Sequence, residues 1–221
     1  MYQHRNLCGD RIDLPVGKVV CIGQNYQDHI AEMKSQVAAE ALFFIKPATA
    51  LADLTQPVAI PLHHGAVHNE TELAVLIQTP LCKASAQQVA PAIWGYSLAL
   101  DLTLRDIQTE LKRLGRPWEI AKGFDGACPV GPFVPQAQVK HPQQLDFSLT
   151  VNGELRQSGT TATMIRGIHQ MISEMSHWFS LQPGDIVLTG TPAGVGPLQP
   201  GDRLVLQLAD LLHLNTEVVA A

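Results

Sequence analysis

Short apolar runs broken by Gly and Pro dominate this chain, and only a few stretches carry the three-to-four-residue period of a helix. Residues 18–22 form an apolar run that stops at Gly23 and predicts a strand. Residues 42–45 and 58–60 predict brief strands closed by Pro47 and Pro61, and residues 70–78 a longer one. In the longer strand Glu70 and Glu72 fall on one face, while Thr71, Leu73, Val75 and Ile77 fall on the other. Residues 25–33 read as a short helix, residues 85–92 as another with Ser85 as N-cap, and residues 93–100 as a buried strand that delivers Asp101.

The next helix is marked by a Thr103/Asp106 capping box, an apolar stripe of Leu104, Ile107, Leu111 and Leu114, and a stop at Gly115. Arg105 and Gln108 share a face off that stripe. Residues 122–135 are rich in Gly and Pro and read as an ordered loop and turn system. Asn152-Gly153 predicts a hairpin between the runs 147–152 and 154–157. Residues 164–179 follow as an amphipathic helix, and residues 186–189, 203–208 and 213–218 as late strands. Strands outnumber helices and are irregularly spaced, so the predicted class is α+β and β-rich rather than a βαβ barrel or a doubly wound sheet.

With 221 residues and 46% hydrophobic content, the chain can bury one substantial core. Residues 1–17 are an N-terminal extension ahead of the first strand, and 18–221 form the domain. A net charge of -5 and a pI near 5.9 give no general attraction to nucleic acid or anionic membranes, so an anionic ligand must be drawn by a local positive site. Cys8, Cys21, Cys82 and Cys128 are scattered and form no C-x-x-C pair, which predicts buried thiols of a reducing compartment. The first residues contain no apolar signal core and no stretch is long enough to span a membrane, so the expected location is the cytoplasm.

Two carboxylates spaced like Glu70 and Glu72, roughly 7 Å apart along a strand, repel each other, and a divalent cation removes the repulsion. With Asp101 they form a candidate all-oxygen site for a hard cation. Three carboxylates and one dication sum to about -1, so an anionic substrate calls for Arg105, one helical turn past Asp101, and Lys122. His29 and Glu32 lie three apart in NYQDHIAEM, where a helix brings them within reach. A histidine held by a carboxylate is fixed in one tautomer and works as a base near neutral pH.

The glycine-rich segment 188–202 lacks G-K-[ST] and runs into Pro197 and Pro200 rather than a helix, so it is neither a P-loop nor a dinucleotide fingerprint. Its backbone amides and the Thr191 hydroxyl are candidates for a carboxylate nest. His63, His64 and His68 match no zinc spacing and read as loop histidines. Neither a G-x-S-x-G elbow nor a Cys/His pair close in sequence signals a covalent acyl-enzyme.

The strings VVCIGQNYQDHIAEM, FFIKPATAL, NETELAVLI, GYSLALDLTLRDIQ, AKGFDGACPVGPF, VNGELRQSGTTATMI and GDIVLTGTPAGVGPLQPGD occur in one order, and together they resemble the fumarylacetoacetate hydrolase family in its small acylpyruvase-like branch. The resemblance runs from about Lys18 to the C-terminus. It implies the family's mixed β-roll with a few flanking helices, a homodimer, and Mg²⁺ or Mn²⁺ held by Glu70, Glu72 and Asp101. It further implies His29 and Glu32 as the acid/base dyad, Lys122 as the active-site lysine, and Arg105, Gln108 and Thr191 as substrate contacts. The expected activity is that of a metal-dependent enzyme acting on a small anionic 2-oxo acid through a stabilised enolate. Acylpyruvate hydrolysis, oxaloacetate decarboxylation or both come first. Keto-enol tautomerisation of oxaloacetate, or isomerisation of a 2-hydroxyhepta-2,4-diene-1,7-dioate, is the alternative. A non-catalytic metal- or oxo-acid-binding protein is the reading from another class, and the dyad argues against it because binding alone needs no tuned proton carrier.

Overall fold

The computed structural model of the chain describes residues 2–33 and 40–221. The first half runs β1 (Val19–Gly23), α1 (Gln27–Glu32), β2 (Leu42–Lys46), β3 (Leu51–Asp53), β4 (Val58–Ile60), β5 (Val67–Asn69), β6 (Thr71–Ile77), α2 (Ala86–Val89), β7 (Ile93–Leu100), β8 (Thr103–Leu104) and α3 (Arg105–Leu114). The second half runs α4 (Glu119–Lys122), β9 (Cys128–Val130), β10 (Val134–Pro135), β11 (Asp146–Val151), β12 (Glu154–Thr160), α5 (Ile168–Trp178), β13 (Ile186–Leu188), β14 (Gly196–Pro197), β15 (Arg203–Leu208) and β16 (Leu212–Ala220). An eight-stranded sheet has the order β2-β1-β13-β6-β7-β9-β3, with β10 beside β7. A five-stranded sheet, β12-β11-β15-β16-β4, and a small sheet, β14-β5-β8, complete the fold. It is the β-rich α+β class that the strand count predicts.

The large sheet is buried on both faces. Val20, Ile22, Leu73, Val75 and Ile77 pack into one core cluster, while their alternating neighbours Val19, Cys21, Ala74 and Leu76 pack into another. Two-sided burial is why these strands read as continuous apolar runs rather than as alternating ones.

Several expected boundaries move, each for a tertiary reason. No Thr103/Asp106 capping box forms. Thr103 and Leu104 pair with β5 instead, α3 opens at Arg105 without a side-chain cap, and Asp106 accepts from the Ala66 amide across the chain. The helix expected from residue 164 opens at Ile168, because Met164 bridges Tyr26 and the Ile165 amide donates to the Asn25 carbonyl. The helix expected over 85–92 gives way to a 3₁₀ turn at Ala90, since Pro91 lacks the amide that an α-helix needs. The Gly- and Pro-rich segment 122–135 contains two short strands, recruited by β3 and β7. Cys21 and Cys128 are buried as expected, whereas Cys8 and Cys82 are exposed. The hairpin turn is as predicted, with Asn152 at φ 52 and Gly153 at φ 85, the paired positive angles of a type I′ turn.

The N-terminal extension lies along the domain. His4 is buried with Nε2 3.0 Å from the carbonyls of Pro15 and Gly184, and Ile12 enters the second core cluster. Gly184, at φ 87, would bring an added Cβ within 1.8 Å of the Pro15 carbonyl oxygen, whereas Gly201, at φ 93, faces open space. Gly201→Ala should therefore cost only the left-handed strain, about 1–2 kcal/mol. Gly184→Ala should add an overpacking cost of about 1–3 kcal/mol. Equal shifts of the two variants in urea unfolding would refute this account of the extension's anchoring.

Candidate active site

Antiparallel pairing of β6 with β7 assembles the acidic cluster. The register sets Thr71 opposite Leu100 and Glu72 opposite Ala99, and the Asp101 amide donates to the Glu70 carbonyl at 2.8 Å. Carboxylate oxygens of Glu70, Glu72 and Asp101 lie within 4.8 Å of one another, and all three side chains are buried. Among the described residues this is the only group of three or more potential metal ligands. His63 and His64 are exposed on their loop, and His68 sits in β5.

Three cations surround the acids. Lys122 Nζ lies 2.7 Å from both Glu70 Oε2 and Asp101 Oδ2. Arg105 pairs with Glu70 through Nη2, and its Nη1 donates to Gln108 Oε1 at 2.6 Å, so the expected common face of α3 is real. The third cation, Lys46, was not singled out in the sequence. It is fully buried at the end of β2, 2.7 Å from Asp101 Oδ1, and its ammonium also donates to the carbonyls of Leu102, Lys122 and Ala127. A lysine closing the apolar run LFFIK ahead of Pro47 was the available signal, and it gives no direction in space. Lys46 changes the charge sum. Three carboxylates against Arg105, Lys122 and Lys46 come to about zero without a metal, and a dication brings the site to about +2.

The two glutamates separate electrostatically. Burial alone would raise Glu70, but Lys122 and Arg105 outweigh it and hold its carboxyl well below the ordinary range. Glu72 is pushed well up by burial and then by repulsion from Asp101 and Glu70, against which Lys122 and the Gly190 amide are insufficient. Burial opposes the charge on Lys122, yet Asp101 and Glu70 prevail and raise it, so this lysine is held as a cation. An all-oxygen, buried, acid-rich donor set with one under-compensated carboxylate fits Mg²⁺ or Mn²⁺, both hard cations.

A cleft beside the acids is walled by Ile22, Leu42, Phe44 and Trp118. His29 and Thr191 also line it, and His29 Nδ1 is 3.3 Å from Glu32 Oε2. Glu32 Oε1 accepts from the Gly194 amide at 3.0 Å. Asn25, another residue missed in the sequence, pins the start of α1. Its side chain donates to the Thr189 and Arg166 carbonyls and accepts from the Arg166 amide. Sequence reasoning expected the glycine-loop amides to offer a carboxylate nest. Two of them are already engaged, Gly190 with Glu72 and Gly194 with Glu32. The Thr191 hydroxyl donates to the Thr71 carbonyl at 2.9 Å and accepts from Gln157 at 2.8 Å.

Comparison with known proteins matches residues 18–219 to the family model described as fumarylacetoacetate (FAA) hydrolase, C-terminal. The chain is 56% identical over 220 residues to an oxaloacetate tautomerase of Escherichia coli (strain K12), covering 99% of this chain and 100% of the relative. It is 42% identical over 201 residues to a mitochondrial oxaloacetate tautomerase of Homo sapiens, covering 90% of each. The crystal structure of fumarylpyruvate hydrolase from Pseudomonas aeruginosa, in complex with Mn²⁺ and pyruvate, superimposes with a TM-score of 0.93 at 37% identity, covering 100% of this chain and 96% of that one.

Two outcomes test the electrostatics. In the unfolded chain Glu72 ionises near the ordinary carboxylate value of about 4.5, while the metal-free fold resists that ionisation. Metal-free stability should therefore fall as pH rises above about 4.5, and Glu72→Gln should be more stable than the wild type at pH 7, with the gap closing toward pH 4. Mn²⁺ at a hundredfold excess over its dissociation constant should stabilise the wild type by about 2.7 kcal/mol and the variant much less; a wild-type Mn²⁺ response in Glu72→Gln would remove Glu72 from the ligand set. Lys46→Met removes one partner of a buried ion pair and should cost about 3–5 kcal/mol in denaturant unfolding. A loss below about 1 kcal/mol, the scale of an exposed pair, would show that Lys46 is dispensable to the cluster.

Proposed function

The chain belongs to the fumarylacetoacetate hydrolase family, and on that premise we propose that it catalyses the keto-enol tautomerisation of oxaloacetate, moving a proton between C3 and the 2-oxo oxygen. The observation that carries this choice within the family is the 56% identity, over essentially both full lengths, to the Escherichia coli oxaloacetate tautomerase. It puts tautomerisation ahead of the acylpyruvate hydrolysis and oxaloacetate decarboxylation that the sequence analysis ranks first.

Each side chain has a part in that reaction. Glu32 holds Nδ1 of His29, which leaves Nε2 as the ring nitrogen to take the C3 proton from a molecule in the cleft. Arg105 has an Nε without a partner among the described residues, a donor suited to a substrate carboxylate, and Gln108 orients its guanidinium. Lys46 and Lys122 offset the acid charge, so that a loaded site near +2 meets a substrate of charge -2. A divalent cation held by Glu70, Glu72 and Asp101 supplies Lewis-acid charge that eases removal of a proton next to the 2-oxo group. The apolar wall of Ile22, Leu42, Phe44 and Trp118 limits competing water.

A second reading, hydrolysis of fumarylpyruvate or a related acylpyruvate, draws on the likeness to the Pseudomonas aeruginosa hydrolase. There His29 would take its proton from water instead of carbon. The homodimer and the cytoplasmic location remain part of the proposal. Among the described residues no helix is long and apolar enough to cross a membrane.

The test is a parallel assay of the Mn²⁺- or Mg²⁺-loaded protein on enol and keto oxaloacetate and on fumarylpyruvate. Accelerated keto-enol exchange is expected, with little carbon dioxide and little pyruvate formed. His29→Gln should slow the exchange by about 10²–10⁴-fold without weakening Mn²⁺ binding. Cleavage of fumarylpyruvate without accelerated exchange would replace the first reading with the second.

A further inference from the structure

Gln157 is the one buried residue of β12, a strand that otherwise faces solvent or is half-buried, and it is 1% exposed. A β-bulge turns it inward. Leu149 pairs with Gln157 but Thr150 pairs with Leu155, so Arg156 is an extra residue in the ladder. Such an insertion re-aims the adjacent side chain. The bulge also meets the glycine loop, because a Cβ on Gly194 would lie 1.8 Å from the Arg156 carbonyl oxygen.

Every hydrogen-bonding position of the Gln157 carboxamide is used. Oε1 accepts from the Asn69 side chain and from the Thr71 amide, both at 2.9 Å, and Nε2 donates to Thr191 Oγ1 at 2.8 Å and to the Pro192 carbonyl at 2.9 Å. The Thr71 amide only donates and the Pro192 carbonyl only accepts, so these partners fix which end of the amide is which. Because Nε2 donates to Thr191 Oγ1, the threonine proton cannot point back at Gln157. It goes to the Thr71 carbonyl, at 2.9 Å, or into the cleft that Thr191 lines. Thr71 is itself the residue between Glu70 and Glu72, and its peptide is gripped on both sides by this network.

We propose that Gln157 is a positioning residue for the reaction: its carboxamide fixes the Thr191 side chain at the wall of the cleft, where the hydroxyl proton turns from the Thr71 carbonyl to an anion when one binds, and it joins the Thr71 amide to the glycine loop. It acts through Thr191 and touches no substrate. The role rests on the 2-oxo acid reading of the cleft. Truncating Gln157 frees the hydroxyl to turn away, which weakens anion binding, while Glu70 and Glu72 keep their own partners and the metal site persists.

A double-mutant cycle with Thr191 tests this. Gln157→Met, Thr191→Val and the double variant would be compared with the wild type in three measurements on the Mn²⁺-loaded protein: kcat and KM for oxaloacetate exchange, pyruvate affinity by calorimetry, and Mn²⁺ affinity. In the Thr191 background, Gln157→Met should raise KM and weaken pyruvate binding about tenfold, with Mn²⁺ affinity kept within about threefold. In the Thr191→Val background the same change should cost less than about threefold, the non-additivity of residues that act as one unit. Equal losses in both backgrounds, an unchanged KM, or a parallel loss of Mn²⁺ binding would each overturn the proposal. If Gln157→Met fails to fold, Gln157→Glu carries the cycle, since it preserves volume and the acceptor oxygen toward Asn69 and Thr71. A wild type that binds pyruvate but does not exchange oxaloacetate would sink the proposed reaction alone, and the pyruvate cycle would still decide the role of Gln157.

Discussion

Three carboxylates confined within 4.8 Å and removed from water would drive the fold apart unless opposite charge were held beside them. Lys46, Lys122 and Arg105 do this from three directions, at the end of β2, the end of α4 and the start of α3. Each cation is brought in by a different part of the chain, so the electrostatic requirement ties those elements together. Lys46 does more than balance charge. Its ammonium caps carbonyls of Leu102, Lys122 and Ala127, which fixes the backbone that follows β7, ends α4 and precedes β9. Charge balance and backbone satisfaction are the same interaction there.

Balance without a metal is uneven, and the unevenness has a use. Glu70 has two cations on it, while Glu72 has mainly a backbone amide and two repelling neighbours. Glu72 is thus the carboxylate with most to gain from a dication. The same imbalance would link metal loading to stability, and a bound dication would bring the cluster to about +2 in a protein whose net charge is -5.

The glycine loop after β13 joins this charge cluster to the His29/Glu32 pair. Within five residues it donates one amide to Glu72, places Thr191 against the Thr71 carbonyl, and donates another amide to Glu32. Asn25 clamps the other side by holding the Thr189 carbonyl at the entry to α1. His29 is therefore positioned against the acidic triad by short backbone links rather than by a direct contact. The proposed tautomerisation and the alternative acylpyruvate hydrolysis would both use this arrangement, since each needs a base aimed at a molecule held beside a cation. They differ in whether carbon or water surrenders the proton.

Much of this was readable from the sequence. The apolar runs, the Asn152-Gly153 turn and the Gly115 stop are local signals, and they mark β1, β7, the hairpin and the end of α3 with small errors. Glu70-x-Glu72 and His29-x-x-Glu32 are also local, because strand and helix periods alone place each pair. The Thr103/Asp106 box failed for a matching reason: it is a local signal overridden when β5 recruits Thr103 into a strand. What the sequence determined by itself is the class of elements, the acid pair, the dyad and the family pattern. Only the tertiary structure decided that Lys46 neutralises Asp101 from 55 residues upstream in sequence, that Gln157 turns inward at a bulge, and that the glycine-loop amides serve Glu72 and Glu32. Those contacts depend on strand register and long-range closure, which no period or spacing along the chain encodes.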